Sequence, residues 1–353
     1  MNISGAGNAA ILSHGLLGTL VSNSASIQNQ LSTLTEQSST GLVAQTFGGL
    51  GSGAQVALDL SPQLAQVSAY TQNIDSATTN LNLTTQVLGQ LEGIASTFYS
   101  ATLSLSTGTS GELSTLASQA QQALGQVQNL LNTQSGANYL LAGQDTANPP
   151  APDTAFNAYV TSVQTAVAGL PTAGAAATEA ATLAAATTGS PFSSTLGTAP
   201  QTMAVGFGVT ARIGVVAGQN AYAPSSTTGS TGSYVKDLIR SLSTIAALNS
   251  APVSASAGFT TLVADTHTDL GNAVSAINDE TAGVGTALQS LTADQTNLGN
   301  TKLALTKQIS NVENVDAAAT ATALTQAQTQ LQISYKLIAT MQSLSLLQYL
   351  PLA

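Results

Sequence analysis

The residues able to do active-site chemistry are sparse in this 353-residue chain, which has two His, eight Tyr, six Phe, no Cys and no Trp. Three short runs invite a chemical reading. Asp265-Thr266-His267-Thr268-Asp269 gathers two carboxylates and an imidazole within five residues, the material of a metal site. On a helix, however, Asp265 and Asp269 share a face and His267 points elsewhere, so the run reads as a solvated helix start. Ser233-Tyr234-Val235-Lys236 fits the S-x-x-K nucleophile pattern, but the companion S-D-N and K-T-G elements are absent. Ser233 reads instead as the N-cap of a helix carrying Leu238, Ile239, Leu242 and Ile245. Gly5-Ala6-Gly7-Asn8-Ala9-Ala10 spells a dinucleotide fingerprint, which needs a strand before it; only four residues precede Gly5. There is no G-x-S-x-G elbow, no phosphate-binding Gly-Lys-Ser/Thr loop and no H-E-x-x-H pair. The reading is a non-enzyme, with no catalytic, cofactor-binding or metal residues expected.

Charge narrows the partners. Charged residues make up 6% of the chain, against about 25% in ordinary domains. Six bases face sixteen acids, for a net charge of −10. The bases are Arg212, Lys236, Arg240, Lys302, Lys307 and Lys336, so nothing before residue 212 is basic. Without a basic patch, neither nucleic acid nor anionic lipid is an expected partner. Hydrophobic residues reach 43%, too many for general disorder, yet no uninterrupted apolar run is long enough to span a bilayer. The start, Met1-Asn2-Ile3-Ser4-Gly5, has no positive n-region and no apolar core, so no cleaved secretory signal is expected there.

These scarce residues need a scaffold, and proline spacing outlines it. Pro62 stands alone before Pro149, eight of the ten prolines lie between Pro149 and Pro252, and Pro351 is last. Pro-free stretches can be helical, so residues 5–148 and 253–350 read as helical arms around an irregular middle. Within the first arm, Leu20, Ile27 and Leu34 repeat by seven with Leu31 between them, until the glycine cluster at 48–53 breaks the helix. Leu60, Val67, Ile74, Leu81 and Leu88 then fall seven apart, and Leu113, Ala120 and Val127 pair with Ala117, Leu124 and Leu131. The second arm carries Leu270, Ile277, Val284, Leu291, Leu298, Leu305 and Val312 at the same spacing. After Asp316 the register moves to Leu324, Leu331 and Ile338. Strict heptads over this length require a partner helix. In the middle, residues 203–215 alternate like a β-strand, with Gly206, Gly208 and Gly214 as weak points or bends, while 171–190 is Ala/Thr/Gly-rich and fits a loop or a short helix.

Both chain ends carry a family resemblance. The C-terminal stretch runs Lys302-Leu303-Ala304-Leu305-Thr306-Lys307-Gln308-Ile309-Ser310, then Val312-Glu313-Asn314-Val315-Asp316. Leu324-Thr325-Gln326-Ala327-Gln328-Thr329-Gln330-Leu331-Gln332 and Ser334-Tyr335 follow, with Leu344-Ser345-Leu346-Leu347-Gln348-Tyr349-Leu350 at the close. Near the start stand Gln30-Leu31-Ser32-Thr33-Leu34 and Ser39-Thr40-Gly41. Asn132-Thr133-Gln134, Tyr139-Leu140-Leu141-Ala142-Gly143 and Asn148-Pro149-Pro150 mark the exit from the first arm. In this order the motifs resemble the bacterial flagellins and, more closely, the hook-associated protein 3 group. The chain departs from that pattern at Leu42, where a basic residue usually follows Ser-Thr-Gly, and in having no arginine in the first arm. Inter-subunit ion pairs at those positions lose their cation, and so does the arginine-bearing helix through which host innate receptors read the family.

The resemblance implies a structural subunit of the flagellum at the hook–filament junction, with the filament subunit as the alternative; an exported structural protein with an enzymatic middle domain is a reading of another class. It implies a mainly α fold: a long antiparallel helical bundle or coiled coil formed by the N- and C-terminal arms, with a small β-containing middle domain. The expected division is 1–45 and 317–353 as terminal assembly helices of an inner layer, 46–148 and 233–316 as the two parts of a helical core, and 149–232 as a variable middle domain. The partners implied are other copies, hook-associated protein 1, the filament flagellin and an export chaperone that masks the C-terminal helix. The implied location is the extracellular flagellum, reached through the type III channel. Assembly and packing are expected to rest on the heptad residues named above together with Leu346, Leu347, Tyr349 and Leu350. Apolar seams and Gln, Asn, Ser and Thr hydrogen bonds, rather than ion pairs, are expected to supply cohesion.

Overall fold

Heptad rows this long demand helices with partners, and the computed structural model contains them. It describes the backbone of residues 4–105, 110–224 and 229–347, and the side chains of 18–105, 111–224 and 229–342. The fold is mainly α. Contacts divide it into two compact units: the described residues up to Val67 together with those from Asn300 onward, and residues 68–299.

The terminal unit is built on α1 (Ser4–Thr40) and α10 (Ala317–Leu347), which pack against each other. They run antiparallel, because Ser24 meets Ser334 (Oγ to Oγ 2.6 Å) while Gly41 meets Val315. Gln28 Nε2 also donates to the Tyr335 hydroxyl. Both helices stop at one level. Gly41, with φ 71°, ends α1, and residues 41–43 then pair with 313–315: Val43 N–H donates to the Glu313 carbonyl (2.7 Å) and Val315 N–H to the Gly41 carbonyl (3.0 Å). Asp316 opens α10 as its N-cap, Oδ1 accepting from the Ala318 and Ala319 amides at 2.9 and 3.1 Å. The register change after Asp316 is therefore a real helix break. A short 3-10 turn, Phe47–Leu50, precedes α2 (Gly53–Leu105). Residues 53–67 of α2 and 300–313 of α9 (Phe259–Glu313) complete this unit. A Cβ at Gly53 would stand 2.1 Å from Val312 Cγ1, so glycine is what lets the two backbones approach.

In the central unit α2 and α9 are again antiparallel. Gln295 Nε2 donates to Asp75 Oδ1 (2.8 Å) towards one end, and His267 stacks on Tyr99 (centroids 4.1 Å apart) towards the other. α3 (Ser110–Leu131) packs on α7 (Tyr234–Ala247), as do α4 (Asp153–Val167) and α6 (Ala175–Thr188), which also contact each other. Nearly every residue of α7 is buried. Two short helices, α5 (Leu170–Ala173) and α8 (Ala251–Ser254), and two hairpins complete the unit. The hairpins are β1 (Gln134–Ser135) with β2 (Asn138–Tyr139), and β3 (Thr202–Gly206) with β4 (Val209–Arg212).

Three expectations are corrected. The first arm is not helical to 148: α3 ends at Leu131, and Gly136 and Gly143 then turn the chain at positive φ. The middle is not irregular throughout: it holds α4, α5 and α6, the last taking the short-helix alternative for the alanine-rich stretch between flanking glycines. The alternating run 203–215 holds two short strands instead of one, turned at Phe207-Gly208 where Gly208 takes φ 72°.

Candidate functional site

The heptad residues show graded burial. In the central unit Ile74, Leu81 and Leu88 on α2, and Leu270, Ile277, Val284, Leu291 and Leu298 on α9, are all buried. Across the terminal unit the seam opens. Val67 and Leu305 are buried and Leu60 and Val312 half-buried, while Leu20, Ile27, Leu31, Leu34, Leu324, Leu331 and Ile338 on the α1–α10 pair are all half-buried. The side chains of Leu346 and Leu347 and the whole of Tyr349 and Leu350 lie outside the described residues. Two paired helices cover only the stripe along which they touch, whereas the central helices have neighbours on several sides.

The remainder of the terminal unit is apolar and uncovered in places. Leu303 is 71% exposed, and Val21, Ile333, Tyr335, Leu337 and Leu58 are exposed as well. Sequence reasoning missed these as surface because it followed only the rows seven apart; their signal is an apolar residue off the seam. Such positions are normal singly, and here they lie on all four helical segments of the terminal unit.

The chemical candidates dissolve on inspection. Ser233 caps α7, its hydroxyl accepting from the Lys236 amide at 3.4 Å, and Lys236 Nζ donates to the Gly189 carbonyl (2.9 Å) instead of meeting Ser233. Residues 5–10 lie within α1, a helix and not the turn between a strand and a helix that the fingerprint requires. The 265–269 run lies inside α9, and Asp269 is buried rather than solvated, which corrects the reading of an open helix start. No group of three or more His, Asp or Glu able to hold a metal occurs among the described residues.

What the sequence reading did miss is a charged centre. Arg240, 1% exposed on α7, bonds Glu179 of α6 (2.6 Å), Asp269 of α9 (2.8 Å) and the Gly229 carbonyl (2.8 Å). One guanidinium therefore ties three segments together. Burial works against the Arg240 charge, but Asp269 and Glu179 outweigh it and hold the cation above its ordinary pKa. Burial pushes the Asp269 carboxyl up to about 7, against the pull of Arg240 and with help from the charge on Glu179. The advance signal was a base set among Leu238, Ile239 and Leu242.

A groove of about 740 Å³ between α2 and α3 is lined by Gln90, Ile94, Phe98, Gln119, Gln126 and Leu130 among others. It offers neutral amides around an apolar floor and no acid, base or nucleophile. No described helix is long and apolar enough to cross a membrane.

The exit from α3 is pinned in detail. Asn132 and Ala151 exchange two hydrogen bonds of 2.9 Å, Ala217 N–H donates to the Leu141 carbonyl (3.0 Å), and a Cβ at Gly143 would stand 2.8 Å from the Ala199 carbonyl. Residues 16–146 match the bacterial flagellin N-terminal helical region, and residues 268–350 match the bacterial flagellin C-terminal helical region. The fold is similar to the solved structure of a "putative flagellar hook-associated protein" from Vibrio parahaemolyticus, with TM-score 0.53 and 13% identity over 73% of this chain and 96% of that one. No curated protein matches the sequence.

Proposed function

Because this chain belongs to the bacterial flagellin family by both its matched ends, we propose that it is the flagellar structural subunit of the hook–filament junction. The observation that carries this reading is the exit segment 132–151, whose Asn132–Ala151 staple and Gly143 turn give structural work to residues resembling the junction group. The fold likeness to a hook-associated protein adds support. In this role the half-buried residues of α1 and α10, with the segments 1–45 and 317–353, form the layer that neighbouring copies cover. Folding of these ends is coupled to assembly, since an apolar face gains a partner only when a neighbour arrives. Hook-associated protein 1 lies on one side of the junction and the filament flagellin on the other, and an export chaperone masks the C-terminal helix beforehand. The subunit works in the extracellular flagellum after type III export and carries no catalysis. A strain lacking the protein should build hooks, lack filaments and spill filament subunits into the medium; normal filaments on that strain would sink the proposal.

The second reading, filament subunit, is favoured by the flagellin description of both matched regions. It predicts that loss of the protein removes the filament without any release of another flagellin.

A further inference from the structure

The chain has six bases, and Lys302, Lys307 and Lys336 belong to the terminal unit. In the central unit Arg240 takes both ion pairs found among the described residues. The two bases left there, Lys236 and Arg212, have no carboxylate in ion-pair contact and line neighbouring cavities. Lys236 borders one of about 170 Å³ and Arg212 one of about 130 Å³. Thr198, Val216 and Gln219 line both, so the cavities adjoin. Neither lining contains an Asp or Glu, in a chain whose acids outnumber its bases sixteen to six.

The walls of this cleft are held in place. Asn220 Oδ1 accepts from the Tyr234 amide (2.9 Å), and Glu280 Oε1 accepts from the amides of Ala221, Tyr222 (2.9 Å) and Ala223 (3.2 Å). A Cβ at Gly283 would overlap the Tyr222 ring, so glycine is what lets that ring lie against α9. The Arg212 guanidinium stands 5.5 Å from the centre of the same ring and donates to the Ala221 carbonyl (3.4 Å). Neutral groups thus orient the Arg212 fork and leave most of its N–H donors unspent. Lys236 Nζ spends one of its three donors on the Gly189 carbonyl (2.9 Å). Burial lowers the Lys236 pKa while the charge of Asp237 works the other way, so an anion in the cleft would restore part of what burial takes from the ammonium. The acids nearest in effect are engaged elsewhere: Asp237 accepts from the Ser230 hydroxyl (2.6 Å) and the Thr231 amide (2.9 Å), and Glu280 from its three amides.

We infer that the two cavities form one site for a small organic dianion of the dicarboxylate class, with one carboxylate on Lys236 and the other on Arg212. The guanidinium fork matches a carboxylate, and the ammonium serves as a compact point charge. Buried Phe192 and Val216 offer an apolar wall to the methylenes between the two acid groups. Gln219 and Thr198, whose side chains make no hydrogen bond among the described residues, supply neutral polar groups at the join. Together the cavities reach only the lower end of ordinary ligand sites, about 300 Å³, which restricts the ligand to a short chain. The site lies within the central unit and does not depend on where the subunit sits in the flagellum.

The test is a titration of the full isotope-labelled chain with succinate and with glutarate, followed by amide NMR. Saturable shifts are expected at Gly197, Thr198, Gly218 and Gln219, with butyrate, which carries a single carboxylate, binding about tenfold or more weakly. K236M and R212Q should each weaken binding about ten- to hundredfold, the loss of one charged hydrogen bond, while K302M leaves it unchanged. No saturable shift with either dicarboxylate overturns the inference, as does binding that survives both cleft variants or falls equally in K302M. Butyrate or inorganic phosphate binding as tightly as the dicarboxylates overturns the two-point dicarboxylate site. Should R212Q fail to fold, K236M and the comparison with butyrate decide alone.

Discussion

At the scale of residues, stability is concentrated where the few charges and the seam side chains are buried. Arg240 serves three segments at once, so Arg240→Ala leaves Glu179 and Asp269 facing each other without a cation. Breaking a buried pair in this way costs about 3–5 kcal/mol, which urea unfolding of the variant should register. Asp269→Asn tests the pH dependence. With its folded-state value raised to about 7, Asp269 contributes stability that is full at low pH and is lost as pH rises through about 7. The Asn variant should show a flatter decline of melting temperature over that window; an unchanged slope would move the effect elsewhere. Gly283→Ala should unseat Tyr222 and destabilise by about 1–3 kcal/mol, again read by urea unfolding.

At the scale of elements, the division of labour lies between covered and half-covered helices. Ile277→Asp or Leu291→Asp places a carboxylate in a seam that is at most 1% exposed and should lower the melting temperature of the monomer sharply. Changes to Asp at Leu346 or Leu350 should leave monomer melting intact and block assembly; an equal loss of melting temperature in both sets would contradict this. The long helices were legible because Leu270 to Val312 recur every seven residues, a period that only a partnered helix explains. The break at 314–316 was legible as a change of register. What was not legible depends on tertiary context. A run of Ala and Thr with no strong apolar face left loop and short helix equally open where α6 forms, and the hairpin at 202–212 has the same alternation as a single strand until Gly208 turns it. Arg240 and Glu280 were invisible as buried groups, because their partners lie far away in sequence, at Glu179 and Asp269 and at residues 221–223.

At the scale of the whole molecule, the scarcity of charge acquires a meaning. Both ion pairs found among the described residues centre on Arg240 inside the central unit, while the terminal unit offers exposed Leu303, Ile333 and Leu337 and many Gln, Ser and Thr side chains. Cohesion between copies through such surfaces is insensitive to screening. Raising salt from about 0.1 M to about 1 M, which shortens the screening length from about 10 Å to about 3 Å, should weaken assembly little. Sedimentation of assembled material at the two salt levels checks this, and extensive dissociation at the higher one would show that surface ion pairs carry the contacts.

The central claim is a position in the flagellum, and immunogold electron microscopy of intact cells with antibody to this chain reads that position directly. A junction subunit gives a single band of label where hook meets filament. Label along the whole length of the filament would contradict the account and make this chain the filament subunit.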